Sequence, residues 1–407
     1  MAKRHVARPG DWDSLALRLD EILSAASGED PFGEALKLLV GKLTHEQLET
    51  GTRFLGMHSG SPTEQLNSLL EQAVHRAPGM LPAGSRTALQ DGELLRCAEL
   101  LADERLLSAD LVALDAIFEH MVSRAAKGQK GQFFTPRHVV AEVVKMMQPQ
   151  AQDRVLDPAC GSAGFLRHAL RAAPGCSVYG FDIDLRASQV ARVMLAASGQ
   201  SPGRIQRADS LRRRPAAPGT TIPALEALWT EHGSGPVGFD LVLTNPPFAG
   251  DVGPEYAPDY DLAKGRRVER DVLFIERCVE LLKPGGRLAI VLPHNKVGGE
   301  KWAFVRHWLL RHLQVVAVLS LGRNTFLPHT GQKACVLIGC RRQQPAAPAA
   351  HEEVLFFVSE RDGKDERGRL VYRPDRRELD CDLPEVTEHV QAALLRARAG
   401  QRVEAKV

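Results

Sequence analysis

The stretch Val155-Leu156-Asp157-Pro158-Ala159-Cys160-Gly161-Ser162-Ala163-Gly164-Phe165 decides the fold. Apolar residues run into an acid, a proline and a glycine-rich turn, and a helical pattern follows over 163–173. Glycines at the carboxyl end of a first strand let the backbone come close to a ligand. The spacing is D-x-x-x-G-x-x-G, with Asp157 inside the turn. A dinucleotide-binding turn prefers G-x-G-x-x-G and a bare helix N-terminus for pyrophosphate. A carboxylate at this place repels phosphate and suits a cationic ligand such as the sulfonium end of S-adenosylmethionine. The plainer reading is a tight turn with a solvated acid.

Outward from this turn, short apolar strands alternate with helices. The strands are 153–157, 177–182, 203–207, 239–244, 287–293, 313–319 and 334–341, with helical patterns at 185–198, 270–283 and 299–312. That alternation predicts an α/β fold: a Rossmann-like, doubly wound sheet of about seven strands whose last strand inserts antiparallel. Asp182 ends the second strand, where a carboxylate can grip ribose hydroxyls. Residues 1–125 read instead as helices. Asp30-Pro31 has the form of an N-cap and first helical residue, Ser61-Pro62-Thr63-Glu64 that of a capping box, and Leu111, Leu114, Ile117, Phe118, Met121 and Val122 fall at helical spacing. The expected organisation is a helical domain at 1–125, a catalytic domain at 126–342, and a linker with a small tail at 343–407, the tail holding a strand near 354–358 and a helix near 385–398. Two long connections, 211–238 and 249–269, read as lids, binding loops or mobile segments.

The chain has 407 residues, 44% hydrophobic and 25% charged, an ordinary globular composition. Its 52 basic and 50 acidic residues exclude a histone-like polycation. The near-balance hides a split: residues 1–105 carry 11 basic and 16 acidic side chains, leaving 41 and 34 for the rest. The seven cysteines are scattered without a C-x-x-C pair, which argues against a disulfide framework or zinc ribbon and for a reducing cytoplasm. No metal-ligand spacing, signal peptide or membrane-length apolar run stands out.

The second motif is Asn245-Pro246-Pro247-Phe248, directly after the strand 239–244. Two prolines cannot continue a central strand and fix a rigid loop at its tip. Asn245 offers a side-chain carbonyl and Pro246 a backbone carbonyl, two acceptors for the two hydrogens of a planar amino group. Phe248 can stack on the ring bearing that group. The alternative is a rigid turn with a core phenylalanine.

Together these motifs resemble the γ-type N6-adenine DNA methyltransferases, in particular the modification subunits of type I restriction–modification systems. The resemblance covers roughly 108–342. Gln132-Phe133-Phe134-Thr135-Pro136 matches the segment ahead of the first strand, implying that Phe133, Thr135 and Pro136 border the methionine part of S-adenosylmethionine. The glycine turn matches the cofactor loop with Asp157, Gly161 and Gly164. Phe181-Asp182-Ile183-Asp184 matches the ribose-binding acid, assigning that role to Asp182. Ala208-Asp209-Ser210 matches the segment whose acid, here Asp209, meets the cofactor's adenine. Asn245, Pro246 and Phe248 fall on the catalytic tetrapeptide, and Phe326-Leu327-Pro328-His329-Thr330-Gly331 follows in the family's order. The stretch Gln332-Lys333-Ala334-Cys335 departs from the family, where small hydroxyl residues are usual.

The resemblance implies methyl transfer to N6 of an adenine flipped out of double-stranded DNA, without a metal. No target-recognition domain is expected in 343–407, so a separate specificity subunit would read the sequence, alongside a restriction subunit. Arg212, Arg213 and Arg214, with Lys264, Arg266, Arg267 and Arg270, either track phosphates or form solvated loops. Asp271 is expected to cap the helix after it. The rivals are an amino-group methyltransferase acting on RNA or protein, a non-catalytic S-adenosylmethionine-binding scaffold, and an NAD enzyme.

Overall fold

The computed structural model describes residues 11–26, 30–48, 52–56, 60–102, 105–107, 114, 117–118, 135–200, 204–213, 238–248, 250–374 and 378–404. Its helices are α1 (Asp11–Ala26), α2 (Pro31–Gln47), α3 (Pro62–Arg76), α4 (Asp91–Leu101), α5 (Arg137–Met147), α6 (Gly164–Ala172), α7 (Leu185–Ala197), α8 (Arg270–Leu281), α9 (Ala303–His312) and α10 (Leu383–Glu404), with a single turn at Asn295–Gly298. Its strands are β1 (Arg154–Asp157), β2 (Ser177–Asp182), β3 (Ile205–Arg207), β4 (Phe239–Thr244), β5 (Leu282–Pro293), β6 (Leu313–Ser320), β7 (Ala334–Arg341) and β8 (Leu355–Val358). The chain divides into two compact units, Met1–Gln129 with Leu185–Ile205, and Lys130–Asp184 with Gln206–Val407.

The first unit is helical, and its local signals are the expected ones. Asp30 accepts a hydrogen bond from the Gly33 amide at 3.0 Å, with Pro31 opening α2. Ser61 and Glu64 form the reciprocal capping box of α3. Gly41 lets α2 and α3 approach closely, since a Cβ there would stand 2.3 Å from the Leu66 side chain. Acids in this unit satisfy loop donors: buried Glu34 accepts from Thr87 Oγ1 at 2.7 Å and the Ala88 amide at 3.2 Å, and Glu46 from the amides of Leu106 and Leu107 at 3.0 and 2.9 Å. The helix expected over 111–122 lies largely outside the described residues; Leu114, Ile117 and Phe118 are helical and fully buried. Helix α7 joins this unit, with Arg192 donating to the Gly79 carbonyl at 3.1 Å.

The second unit is built on an eight-stranded sheet of order β3-β2-β1-β4-β5-β7-β6-β8. Strands β2, β1, β4 and β5 run parallel, and β7 inserts antiparallel between β5 and β6. The central strands are buried over almost their whole length, as a sheet covered on both faces requires. Parallel strands bring their carboxyl ends to one edge, so the loops after β1, β2 and β4 share a rim. Two features exceed the expectation. β5 starts at Leu282 rather than 287, running through Lys283–Gly286 with a register irregularity opposite Phe239–Leu241. The eighth strand, β8, pairs parallel with β6, and α10 packs on α5, where Thr387 Oγ1 meets Glu142 Oε2 at 3.0 Å. Among the described residues no helix is long and apolar enough to cross a membrane. All seven cysteines are buried and none forms a disulfide.

Gly339 sits where β7 passes β6, and a Cβ there would lie 2.7 Å from the Gln314 carbonyl oxygen. Backbone cannot yield as a side chain can. Gly339→Ala is expected to cost about 1–3 kcal/mol, read as a lower denaturant midpoint at unchanged m value; a wild-type midpoint would refute this packing.

Candidate active site

The two sequence motifs meet through one hydrogen bond. Thr244, the last residue of β4, is fully buried, and its Oγ1 donates to Asp157 Oδ1 at 2.7 Å. Asn245, half-buried, follows immediately. The same Asp157 oxygen accepts from the Ala159 amide at 3.1 Å, which folds the turn back over the end of β1. Burial pushes the Asp157 carboxyl up to about 7, against the pull of these two donors and with a push from Asp182.

The glycine turn continues with left-handed backbone at Gly161 (φ 51°) and Ala163 (φ 64°). A Cβ added at Gly161 or Gly164 would meet nothing within 4 Å, so the turn borders open space. Asp182 closes its other side: Oδ2 accepts from the Gly161 amide at 3.0 Å and Oδ1 from the Asp184 amide at 2.9 Å. Burial raises its carboxyl to about 6. Next along the rim, the Ala208 amide donates to the Asp182 carbonyl at 3.0 Å, and Ser210 Oγ to the Pro158 carbonyl at 2.6 Å. Asp209 is thereby brought beside the turn, its Oδ2 accepting from Tyr256 at 2.6 Å and Arg212 at 3.4 Å. Asp157, Gly161, Asp182 and Asp209 therefore share one hydrogen-bonded rim, and Asn245 adjoins it as the residue after Thr244. Thr135 and Pro136 stand at the start of α5, which packs on α6; among the described residues no hydrogen bond joins them to the turn. Phe133 lies outside the described residues.

Phe248 is buried and packs edge-on against Phe326, ring centroids 5.7 Å apart. Thr244, Ser210 and Tyr256 carry no motif of their own. Thr244 was recoverable as the strand residue beside Asn245; Tyr256 sits in a loop whose sequence gives no register.

That loop is tied down rather than lid-like. Tyr260 is fully buried and donates to the Leu211 carbonyl at 2.6 Å, and the Asp261 and Leu262 amides both donate to Glu276 at 2.8 Å. Arg213 lies over the Tyr260 ring at 4.2 Å and pairs with Glu280 at 2.6 Å and Glu276 at 3.2 Å. Arg212 is held by Asp209, Lys264 by Asp261, Arg267 by Asp251, and Arg266 lies over Phe304. Arg214 is outside the described residues. Arg213 is thus taken up by its own chain, whereas Lys264, Arg266, Arg267 and Arg270 remain exposed.

Asp271 does not cap α8 either. Glu269 holds that position, and Asp271 lies buried in the first turn, 3.2 Å from Lys296 Nζ. Lys296, 1% exposed, also pairs with Glu269 at 2.5 Å and lies over the Trp302 ring at 4.4 Å. Glu269 bridges to Asp251, and the Arg270 amide donates to the Gly250 carbonyl at 3.0 Å. The buried ammonium therefore clamps the backbone just beyond Asn245–Phe248.

A parallel-centred sheet with β7 inserted and an acid-lined glycine turn at its rim is a methyltransferase architecture, and solved structures agree. The type I restriction–modification methyltransferase subunit from Streptococcus thermophilus superposes with TM-score 0.63 at 16% identity, covering 94% of this chain and 93% of that one. A chain described as a class I S-adenosylmethionine-dependent methyltransferase from Listeria monocytogenes gives TM-score 0.52 at 16% identity, covering 94% and 99%. The sequence model of the N-6 DNA methylase family matches residues 110–374, and the chain belongs to that family. Among curated relatives, the EcoEI type I restriction enzyme methylase subunit from Escherichia coli is 26% identical over 236 residues, covering 56% of this chain and 45% of that protein. The type II methyltransferase M.VspI from Vibrio sp. (strain 343) is 26% identical over 216 residues, covering 52% and 48%. The match thus spans about half the length of these relatives.

Thr244→Val removes a hydroxyl donor from a buried carboxyl and is expected to destabilise the fold by about 1–3 kcal/mol. Both Asp157 and Asp182 are held above the ordinary value of 3.8, so the folded state binds protons more tightly than the unfolded chain. Their stabilising contribution is full at low pH and is lost as pH rises through about 6 and 7. Asp182→Asn should flatten this fall in denaturation curves taken across that range; an unchanged pH profile would count against it. Lys296→Met removes the ammonium paired with the buried Asp271 carboxylate, with an expected loss of about 3–5 kcal/mol; a melting temperature equal to wild type would contradict the clamp.

Proposed function

We propose that this chain transfers a methyl group from S-adenosylmethionine to N6 of an adenine flipped out of double-stranded DNA, as the modification subunit of a type I restriction–modification system. The observation that carries the reading is the Thr244–Asp157 hydrogen bond, which sets Asn245-Pro246-Pro247-Phe248 beside the acid-lined turn. The open space at Gly161 and Gly164 and the three buried acids suit a cofactor with a cationic end, a ribose and an adenine. Asp157 faces the cationic end, Asp182 accepts from the ribose hydroxyls, Asp209 meets the adenine amino group, and Phe133, Thr135 and Pro136 border the methionine part. When bound, the cofactor supplies a methyl already activated on a sulfonium.

Asn245 and Pro246 would accept the two hydrogens of the target amino group. Both bonds strengthen as the nitrogen turns pyramidal and its lone pair leaves the ring, so they act most in the transition state. Flipping costs a few kcal/mol. Stacking of the flipped base on Phe248 would return about 1–3 kcal/mol.

The relatives' names supply the assembly: methylase subunits of type I restriction enzymes. A separate specificity subunit would read the DNA sequence and a restriction subunit would join them, in the cytoplasm. The acidic balance of residues 1–105 favours protein over phosphate as the neighbour of the helical unit.

Asn245→Ala is expected to lower methyl transfer to DNA by about 100-fold or more while S-adenosylmethionine binding by calorimetry stays at wild type; wild-type turnover would sink the mechanism. Offering DNA, RNA and protein acceptors to the wild type separates the enzymatic rivals. A cationic cofactor end favours the ionised form of Asp157, so cofactor affinity should rise as pH approaches about 7, and Asp157→Asn should blunt that rise.

A further inference from the structure

The second unit holds a polar cavity of about 340 Å³ away from the glycine turn. It lies where β6 and β8 end, lined by Leu321–Asn324, Lys333, Ser359–Lys364, Val371 and Asp380. No aromatic ring lines it, so nothing there stacks a base. Its acids are largely engaged. Asp362 accepts from the Asn324 amide at 2.8 Å and the Lys364 amide at 3.3 Å, and Asp380 stands 3.6 Å from Arg361. Gly322 permits this close approach, since a Cβ there would lie 2.3 Å from Asp362 Oδ2. Glu360 is an exposed acid on the wall. Lys364 Nζ donates to the Leu327 carbonyl at 2.6 Å. Arg323, exposed, and Lys333, half-buried, pair with no carboxylate among the described residues. Two uncommitted cations thus stand beside Asp362, held by backbone amides, Asp380, paired with Arg361, and the exposed Glu360.

The cavity opens on the rim that carries the candidate active site. The Lys333 carbonyl accepts from the His294 amide at 2.9 Å at the end of β5, and the Leu321 amide donates to the Ala334 carbonyl at 3.0 Å. From β4 to β6 is three strand steps, about 14 Å. One DNA strand rises about 3.4 Å per nucleotide, so that span is about four nucleotides. The segment between β6 and β7 also carries Phe326, which packs on Phe248. One stretch of chain therefore links the cavity to the tetrapeptide.

We propose that this cavity is a DNA backbone-phosphate site, in which Arg323 and Lys333 hold a phosphate about four nucleotides from the target adenine. The proposal rests on the DNA-methylating reading above. A phosphate held there fixes the 321–333 segment and, through Phe326, the face of Phe248. Such a contact sets the register of the strand on the protein and carries no sequence information.

The test uses the full chain in complex with its specificity subunit, a duplex oligonucleotide carrying that complex's target adenine, and the double variant Arg323→Ala/Lys333→Ala. The slope of log binding constant against log salt should become shallower by about one to two units. KM for DNA should rise about tenfold, with kcat within about twofold and S-adenosylmethionine affinity unchanged. Arg323→Lys/Lys333→Arg should restore the slope. Glu360→Gln, which removes the exposed acid, should tighten DNA binding at low salt. A double variant that keeps the wild-type slope and KM while the wild type methylates DNA overturns the cavity and leaves the methylation reading standing. A wild type that transfers no methyl to DNA even in complex with its specificity subunit removes both.

Discussion

The hydrogen bond from Thr244 to Asp157 spans 87 residues of chain and joins two neighbouring parallel strands at their ends. Much of the candidate site hangs on it. It fixes the direction in which β4 gives way to Asn245-Pro246-Pro247, and it supplies one of the two donors that make a buried carboxyl tolerable at Asp157. Without such donors a carboxylate this deep carries a desolvation penalty of several kcal/mol. The acid and the tetrapeptide are thus a single construction, assembled across the sheet.

The rim continues the same logic. Asp182 takes its donors from the glycine turn, and Asp209 takes Tyr256 from the loop after the tetrapeptide. Each acid spends part of its capacity on backbone or hydroxyl donors that belong to another motif. Electrostatic tension in the turn is therefore built in: on top of burial, Asp182 raises the proton affinity of Asp157, and Asp184 raises that of Asp182. A cation entering that turn relieves what the protein holds at a cost, which is how a site can favour one charge type before any shape is matched.

Local signals in the sequence were faithful because their physics is local. The capping box at Ser61–Glu64, the prolines after Thr244 and the strand-to-glycine turn at 155–164 involve atoms a few residues apart. Features that depend on distant partners were invisible. Leu355-Phe356-Phe357-Val358 has a strand's composition, but its place beside β6 is a property of the assembled sheet. Helix α7 reads as one more member of the alternation, yet it clusters with the helical unit. The arginines of the long connections look like phosphate ligands until Glu276, Glu280 and the Tyr260 ring are seen to occupy Arg213. Charge counts along a chain say nothing of which charges already face one another.

The insertion of β7 between β5 and β6 has a consequence for synthesis. β5 ends at Pro293, but the strand that covers its free edge is complete only at Arg341. At roughly 5–20 residues per second, that edge waits about 2–10 seconds on the ribosome for its partner. The waiting strand is the apolar run Leu288–Leu292, fully buried in the finished protein, and an unpaired apolar edge is a template for pairing with other chains. The centre of the sheet therefore closes late, after both of its neighbours are made, and the nascent protein's exposure to aggregation at that edge is set by the 40 residues that separate β5 from β7.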